Sequence, residues 1–419
     1  MASSGFVTQS TNLTIQHEME KKLMGLMADK NFNLNEIEAL ISQGVNINCT
    51  NREGLTPLLQ LVKLGQARND LLDVIRLLLD QNGIDVNCKD SDEWNALYYL
   101  CRLYQKADLI DIILLLIQRG IKVDWTNKSR QNAFLFLCQH YPHKNMIDIV
   151  QIFIDNNIDI GCTNSNGWNA LHHLCRNYKQ SNLVDVFRLL VEHGMDITCN
   201  TRVGWNALHI LCHEKTQDNH MDLIKLFINL GIDVNSKNKG GWNALHILCQ
   251  NYQKDNLIDI VRLFINHGVD VNCSDDDERN VLHILCGRYT EENLVDLVQL
   301  LIDHGIDVNS KNRGGWNALH FLCRNYKKGN LIDIVRLFIN NGIDVKCIND
   351  GGWNVLHILC KNCSNLSNLV EIVELLVENG IDVDCKTQHG KGLNAFKIFC
   401  NDNANAKLYN KLKLLLQKK

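Results

Sequence analysis

Gly240-Gly241-Trp242-Asn243-Ala244-Leu245-His246-Ile247-Leu248-Cys249 and, a few residues on, Asn256-Leu257-Ile258-Asp259-Ile260-Val261-Arg262-Leu263-Phe264-Ile265-Asn266-His267-Gly268-Val269-Asp270-Val271-Asn272 decide the fold. The Gly-Gly pair marks a turn. Asn243 then stands where a helix N-cap is wanted, because its side-chain oxygen can take an unpaired first-turn N–H. Asn251 to Asp255 forms a polar turn. Asn256 reads as the cap of a second helix, with Asp259 at N3 as the acidic half of a capping box. Leu257, Val261, Phe264 and Ile265 fall at helical spacing and form one apolar stripe. Gly268 ends that helix, where a left-handed residue is needed. Val269 to Asn272 is short and extended and leads into the next turn.

A single helix pair cannot bury its apolar face, so neighbours must cover it. The sequence supplies them. Trp168, Trp205, Trp242, Trp316 and Trp353 lie on a 37-residue grid, with Arg279 on the grid between Trp242 and Trp316. Backward, the grid reaches Gln131 and Trp94, then Leu55 with two extra residues; forward it reaches Leu393 with three extra. A fixed period of this size means a solenoid or an array. The expectation is an all-α fold of about eleven stacked helix-turn-helix units, joined by short β-hairpin or turn connections. The units start near residues 17, 55, 94, 131, 168, 205, 242, 279, 316, 353 and 393 and fill residues 17–416. Residues 1–16 are left as a polar, flexible tail, and 417–419 as the C-terminal end.

The unit resembles the ankyrin repeat. Gly241-Trp242-Asn243-Ala244-Leu245-His246 stands where that family has Gly-x-Thr-Pro-Leu-His, and Ile260 to Asn272 matches its second helix and exit. Thr56-Pro57-Leu58 keeps the more usual form. The chain departs from the family in three ways. Ala replaces Pro at the helix start, so initiation leans on Asn capping. Leu-Cys replaces the usual Ala-Ala, which gives a bulkier packing layer. The turn between the two helices is four residues longer than in the usual 33-residue repeat. The resemblance implies a protein-binding scaffold, with partners held in a groove formed by the turn tips and first helices. It further implies that Asn235, Asn272 and Asn309 resemble sites of asparagine hydroxylation in other ankyrin proteins.

Composition narrows the function classes. A formal charge of −4 lacks the basic excess that nucleic-acid binding requires. Lys407, Lys411, Lys413, Lys418 and Lys419 make the C-terminus locally basic, as a solvated last helix would be, a nuclear signal being the other reading. The longest apolar run, Leu109 to Ile117, is too short for a bilayer and contains Asp111. Met1 to Ser10 lacks the pattern of a secretory signal. The expected location is therefore cytoplasmic, with the nucleus as the alternative, and the expected state is monomeric.

The 17 cysteines follow the repeat, which separates them from a disulfide framework. One set follows Leu in the first helices: Cys101, Cys138, Cys175, Cys212, Cys249, Cys286, Cys323, Cys360 and Cys400. Another closes the Asp-Val-Asn stretch, as in Cys49, Cys88, Cys162, Cys199, Cys273, Cys347 and Cys385. Cys363 belongs to neither. Equivalent residues of packed helices stand about 8–10 Å apart, beyond the ~7 Å reach of a disulfide. The thiols are expected to be reduced.

His172, His209, His246, His283, His320 and His357 each precede a Cys by three residues, on roughly one helix face. Such pairs can serve as nucleophile and base or as metal ligands. Six identical copies fit a stacking role better, and in ankyrin-like repeats this His ties the backbone of adjacent repeats. Asp185, Asp222, Asp259, Asp296 and Asp333 recur once per unit, as capping residues do. No phosphate-binding Gly-rich loop is present. The expectation is no enzyme, no cofactor and no metal site.

The candidate partner face contains Trp94, Trp168, Trp205, Trp242, Trp316 and Trp353. Trp is enriched in binding hot spots, but packing along the stack explains the same ladder. Arg279 interrupts it after Asp275, Asp276, Asp277 and Glu278. These four acids read either as a landing place for a basic partner segment or as a solvated tip. Gln131 also interrupts it, in a unit carrying Trp125, Phe134 and Phe136, which means an altered core or a distinct recognition patch. Tyr104, Tyr141, Tyr178, Tyr252, Tyr289 and Tyr326 run along the long turn; Tyr suits a half-buried site with its hydroxyl in water, and packing under the turn is the default reading of the stripe. The first three units hold Leu59, Tyr98 and Leu135 at the His position, and Asn157 replaces a closing Gly; this less uniform end is expected to house the specific site. A scaffold or adaptor is the leading reading. A regulatory or substrate-recognition arm of a complex such as a ubiquitin ligase is the second, and a metal or redox protein the third.

Overall fold

The computed structural model describes residues 4–29, 33–214, 220–254, 256–362, 368–388, 392–402 and 413. Among them are twenty-one α-helices and no strand. They fall into two compact bodies, Met1–Arg202 and Val203–Lys419.

In the N-terminal body the helices are α1 (Ser4–Ala28), α2 (Leu34–Ser42), α3 (Pro57–Leu64), α4 (Leu71–Leu79), α5 (Ala96–Leu103), α6 (Leu109–Gln118), α7 (Ala133–His140), α8 (Met146–Asp155), α9 (Ala170–Asn177) and α10 (Leu183–Glu192). Helix α1 begins at Ser4, within the stretch that the sequence pattern leaves outside the repeats. In the C-terminal body they are α11 (Ala207–His213), α12 (His220–Asn229), α13 (Ala244–Asn251), α14 (Leu257–Asn266), α15 (Val281–Arg288), α16 (Leu294–Asp303), α17 (Ala318–Asn325), α18 (Leu331–Asn340), α19 (Val355–Asn362), α20 (Leu369–Glu378) and α21 (Ala395–Asp402). Ten helix pairs and the first helix of an eleventh are therefore described. The second half of the last pair, with Lys407, Lys411, Lys418 and Lys419, lies outside the described residues, as do Cys363 and the side chain of Cys400.

In each body first helices pack on first helices (α5 on α7 on α9; α13 on α15 on α17 on α19), and second helices form a parallel row (α14 on α16 on α18 on α20). This is how an all-α ankyrin solenoid hides faces that one pair leaves open. In α14, Leu257, Ile260, Val261 and Phe264 are buried, while Ile265 is only half-buried. Burying Phe264 stabilises by roughly 2–3 kcal/mol before entropy is counted. Leu248 and Cys249 are fully buried and form the layer between first helices.

First-helix capping follows the sequence reading: the Asn243 side chain accepts from His246 N–H at 3.1 Å. The second helices differ from it. Asn256 makes no side-chain cap bond; its Oδ1 accepts instead from the Tyr252 hydroxyl at 2.8 Å. The equivalent Asn182 and Asn330 use their amide N–H groups to bond Lys144 and Glu292 carbonyls of the preceding repeat, at 2.7 and 2.8 Å. Asp259 sits in the first turn, where a negative charge favours the helix dipole.

The connections are tight turns. Among the described residues the β-hairpin element of the expectation reduces to one isolated antiparallel bridge, Thr126 to Asn132. Consecutive tips are joined instead by single backbone bonds: Asp276 N–H to Gly240 C=O, Arg313 to Asp277, and Asp350 to Gly314, at 2.9–3.1 Å. Gly241, just before Trp242, has φ of +75°, and a Cβ there would meet Asp276 N at 2.9 Å. Only Gly fits this approach freely.

Candidate functional site

The site is built around the tip of each repeat. The chain enters through a residue whose side-chain oxygen closes the turn: Asn238 Oδ1 accepts from the N–H groups of Gly240 and Trp242 at 2.9 and 3.1 Å. Asn164, Asn312 and Asn349 do the same for their repeats. The backbone then delivers Trp into a half-buried position directly before the first helix. All six grid tryptophans, Trp94, Trp168, Trp205, Trp242, Trp316 and Trp353, are half-buried. The His four residues on packs at 5.6–6.3 Å from the ring of Trp168, Trp205, Trp242, Trp316 and Trp353.

A second partner, absent from the sequence reading, lies eight residues after every grid Trp except Trp242. Arg102 stands over Trp94 at 4.5 Å, Arg176 over Trp168 at 5.4 Å, Arg324 over Trp316 at 5.3 Å and Lys361 over Trp353 at 5.1 Å. His213 takes this place against Trp205 at 5.4 Å. The Arg and Lys contacts are cation–π contacts within one repeat, and the His213 contact is an edge-on ring contact. Their signal was the same period that revealed the Trp grid.

Neighbouring tips enclose clefts. One of about 350 Å³ is lined by Val203, Trp205, His213, Trp242, Ile247 and Gln250 among others. Another of about 340 Å³ lies between Trp316 and Trp353, with Arg324, Ile358, Lys361 and Asn362. In the N-terminal body, Trp168, His173 and Arg176 border a third of about 510 Å³.

The acidic stretch does not form a free acidic patch. Asp275 is buried and occupies the turn-closing position of Asn238 and Asn312. Its Oδ1 accepts from Asp277 and Arg279 N–H, at 3.0 and 2.8 Å, and its Oδ2 holds the Arg279 guanidinium at 2.7 Å. Asp277 also pairs with Arg279 at 3.1 Å, and Glu278 lies 3.9 Å from Arg313. Asp276 alone of the four carboxylates has no cation beside it among the described residues. Arg279 turns back over Trp242 at 5.6 Å. It thus supplies the cation that Gln250 does not.

The irregular N-terminal repeats owe most of their differences to the core. Leu59, Tyr98, Leu135 and Phe134 are buried. The Tyr98 hydroxyl accepts from Asn127 of the next repeat at 2.6 Å, replacing the His tie. Phe136 packs at 4.6 Å from Tyr98 and 5.6 Å from Trp94. Trp125 donates to Glu93 C=O at 2.9 Å. Gln131 is half-buried, with its N–H bound to Asn127. These contacts favour an altered core over a separate recognition patch.

The His residues tie repeats together. Nε2 of His209, His283 and His320 faces the carbonyls of Trp242, Trp316 and Trp353 at 3.0–3.2 Å. A carbonyl can only accept, so Nε2 carries the proton. Burial holds His209, His246, His283 and His320 down to about 4, against the opposing pull of nearby carbonyls or of the Asp275 charge. Burial pushes the thiols of Cys249 and Cys286 far above their usual range, the reverse of an activated nucleophile. Among the described residues no three His, Cys, Asp or Glu side chains converge as a metal site would require. No described helix is long and apolar enough to cross a membrane.

The Tyr rings are buried, in keeping with packing under the turn, and only their hydroxyls differ from the reading, being bonded internally and not left in water. Tyr178, Tyr289 and Tyr326 are each 1% exposed. Their hydroxyls donate to Asn182, Asn293 and Asn330 at 2.8–2.9 Å. Asn235, Asn272 and Asn309 are exposed at the end of the Asp-Val-Asn stretches. Each donates to a Gly carbonyl of the next repeat at 2.9 Å.

No curated protein matches the chain. Comparison with protein families matches the one described as Ankyrin repeats (3 copies) over residues 24–127, 135–238, 212–312 and 289–387. Ankyrin repeats are in general protein–protein interaction modules. With paired helices, His ties and left-handed Gly at the repeat ends, the chain belongs to the ankyrin-repeat family.

Proposed function

We propose that this chain is a non-catalytic scaffold or adaptor that binds a partner protein along its tryptophan-bearing tips and first helices. The observation that carries the reading is the pair of Trp-walled clefts, Trp205–Trp242 and Trp316–Trp353. Each offers large aromatic area already held in place by a neighbouring His, so a partner pays little entropy to use it. The repeated His and Cys support the non-catalytic part, since the imidazoles are engaged by backbone carbonyls and the thiols are held protonated. So many reduced thiols suit a reducing, cytoplasmic compartment.

The test is affinity capture from native lysate with the full chain, against Trp205→Ala/Trp242→Ala and Trp316→Ala/Trp353→Ala. Loss of a hot-spot Trp costs about 2 kcal/mol or more, roughly thirtyfold in affinity. Captured partners should therefore drop out with at least one double variant. Circular dichroism melts run beside it to show that the stack survives. Retention of every partner by well-folded variants would refute the assignment.

A further inference from the structure

We infer that the C-terminal body's Trp316–Trp353 face takes an extended acidic peptide segment of its partner; the inference rests on the binding role proposed above. For the grid positions from Trp94 to Trp353, the eighth and ninth residues onward line this face of the first helices. They are Arg102-Leu103, Gln139-His140, Arg176-Asn177, His213-Glu214, Gln250-Asn251, Gly287-Arg288, Arg324-Asn325 and Lys361-Asn362. Five are Arg or Lys and two are His, while Glu214 is the only carboxylate. The chain as a whole has more acids than bases, 47 against 43, so this stripe runs against its background.

In the C-terminal body Arg288, Arg324 and Lys361 are exposed, and none pairs with a carboxylate among the described residues. By contrast the nearby tip acids Asp275 and Asp277 are neutralised by Arg279. Beside the Trp316–Trp353 cleft the cations Arg324 and Lys361 outnumber the one tip carboxylate, Asp350, which lies by Gly315. Arg324 and Lys361 are also oriented by the rings beneath them, which lowers the cost of fixing long side chains.

Charge spacing points to a peptide and not to nucleic acid. Packed first helices stand about 8–10 Å apart, so the stripe offers one cation per ~10 Å. An extended peptide advances ~3.3 Å per residue, so carboxylates at about every third residue match it. Single-stranded nucleic acid would need open aromatic faces for its bases. Here a cation covers one face of each ring, and the Trp pyrrole edge lies against Gly314 or Gly351, whose positions a Cβ would bring within 3.3–3.4 Å of it. What remains open is a cleft of mixed lining, in which Trp316, Trp353 and Ile358 stand beside Asn349, Asn362 and the two cations, a setting for carboxylates with a small apolar side chain between them.

The test uses the full chain and a fluorescein-labelled peptide of repeated Glu-Ser-Leu triplets, read by anisotropy. The comparison probes are the same peptide with Lys or Gln for Glu, and a single-stranded oligonucleotide. The variants are Arg324→Gln/Lys361→Gln and, as a charge-matched control on second helices α14 and α18, Arg262→Gln/Arg336→Gln. We expect the acidic peptide to bind, and the first double variant to weaken it by about tenfold or more, as for two lost charge-assisted contacts. The control should stay within twofold of the parent chain. Equal weakening by both pairs would overturn the inference, since it would mean a diffuse field. So would preference for the oligonucleotide, or absence of binding by the acidic peptide. Binding of the Gln or Lys peptide in place of the Glu peptide would also overturn it, yet leave the Trp face standing as a binding surface.

Discussion

Acidification should loosen the C-terminal body before the N-terminal one. His209, His246, His283 and His320 all lie in the C-terminal body, and burial holds each to about 4. In an unfolded chain His titrates near ~6.5. The folded values are depressed, so between about pH 6.5 and 4 the unfolded state binds protons that the native state refuses. Stability is thus full above that window and is lost as the pH falls through it. Each His costs about 1.4 kcal/mol per pH unit inside the window, or roughly 2 kcal/mol between pH 7 and pH 5. Four such groups remove several kcal/mol, comparable to the whole stability of many domains. In the N-terminal body three of the four equivalent positions hold Leu59, Tyr98 and Leu135, and only His172 keeps the imidazole. With His173, pushed down to about 3, and the half-buried His140, that body has fewer buried imidazoles in register and a smaller slope. Hydrogen exchange at pH 7, 6 and 5, corrected for intrinsic rates, should show protection lost first from peptides after residue 203. His283→Gln/His320→Gln should be weaker at neutral pH by about 1–2 kcal/mol per lost tie but should fall less steeply with acid. Earlier loss of protection in the N-terminal body would refute the reasoning, as would an unchanged slope in the double variant.

Two further outcomes follow from the interrupted repeat. Asp275→Asn restores the residue of the neighbouring turns and keeps both backbone bonds while losing the ion pair, so it should cost about 1 kcal/mol; Asp275→Ala strands those N–H groups and the Arg279 charge and should cost about 2–4 kcal/mol in urea unfolding. Glu278 sits at φ of +61° where most other repeats have Gly, Glu93 and Arg130 being the other exceptions. Its pairing with Arg313 is solvent-exposed and contributes little. Glu278→Gly should therefore raise stability by about 1 kcal/mol, read as an upward shift of the urea midpoint.

Residues whose partners lie within one repeat were legible from sequence. Asn243 caps its helix, Gly268 ends the next with φ of +76°, and the apolar spacing of α14 defines its buried face. Partners one repeat away were harder to read. Asn256 looks like a cap, but the Tyr252 hydroxyl claims its oxygen, and its counterparts donate to the preceding repeat. The Tyr326 ring packs under its turn as its position suggests, but its hydroxyl, expected in water, lies 3.1 Å from Glu291 C=O of the repeat before. Asp275 was misread for another reason. Four consecutive acids suggested a patch, whereas the period places Asp275 in register with the turn-closing Asn238 and Asn312. The local charge run concealed the repeat position. For the tip and the cations beyond it, the grid was read only at Trp; extending the same register by eight residues leads to Arg324 and Lys361.

Specificity in such a stack must come from side chains that the stack itself does not consume. The turn-closing Asn, the cap Asn, the His, the Leu-Cys layer and the Tyr each satisfy a fixed partner inside the fold, so replacing one changes stability before it changes recognition. The Trp is intermediate: one face is held by His and a cation, while an edge borders a cleft. Beyond the Trp, the ninth-position Asn251, Asn325 and Asn362 bond back into their own helix. The eighth position instead varies between repeats, with Arg324 and Lys361 in one pair and Gln250 and Gly287 in another, and its exposed cations touch the fold only through a ring face. Neutralising Arg324 and Lys361 should therefore change affinity while leaving the urea midpoint within about 0.5 kcal/mol, whereas replacing His320 should change the midpoint first. A partner that responded only to His320 and never to the exposed cations would be sensing the integrity of the stack, and the recognition surface would have to be sought elsewhere.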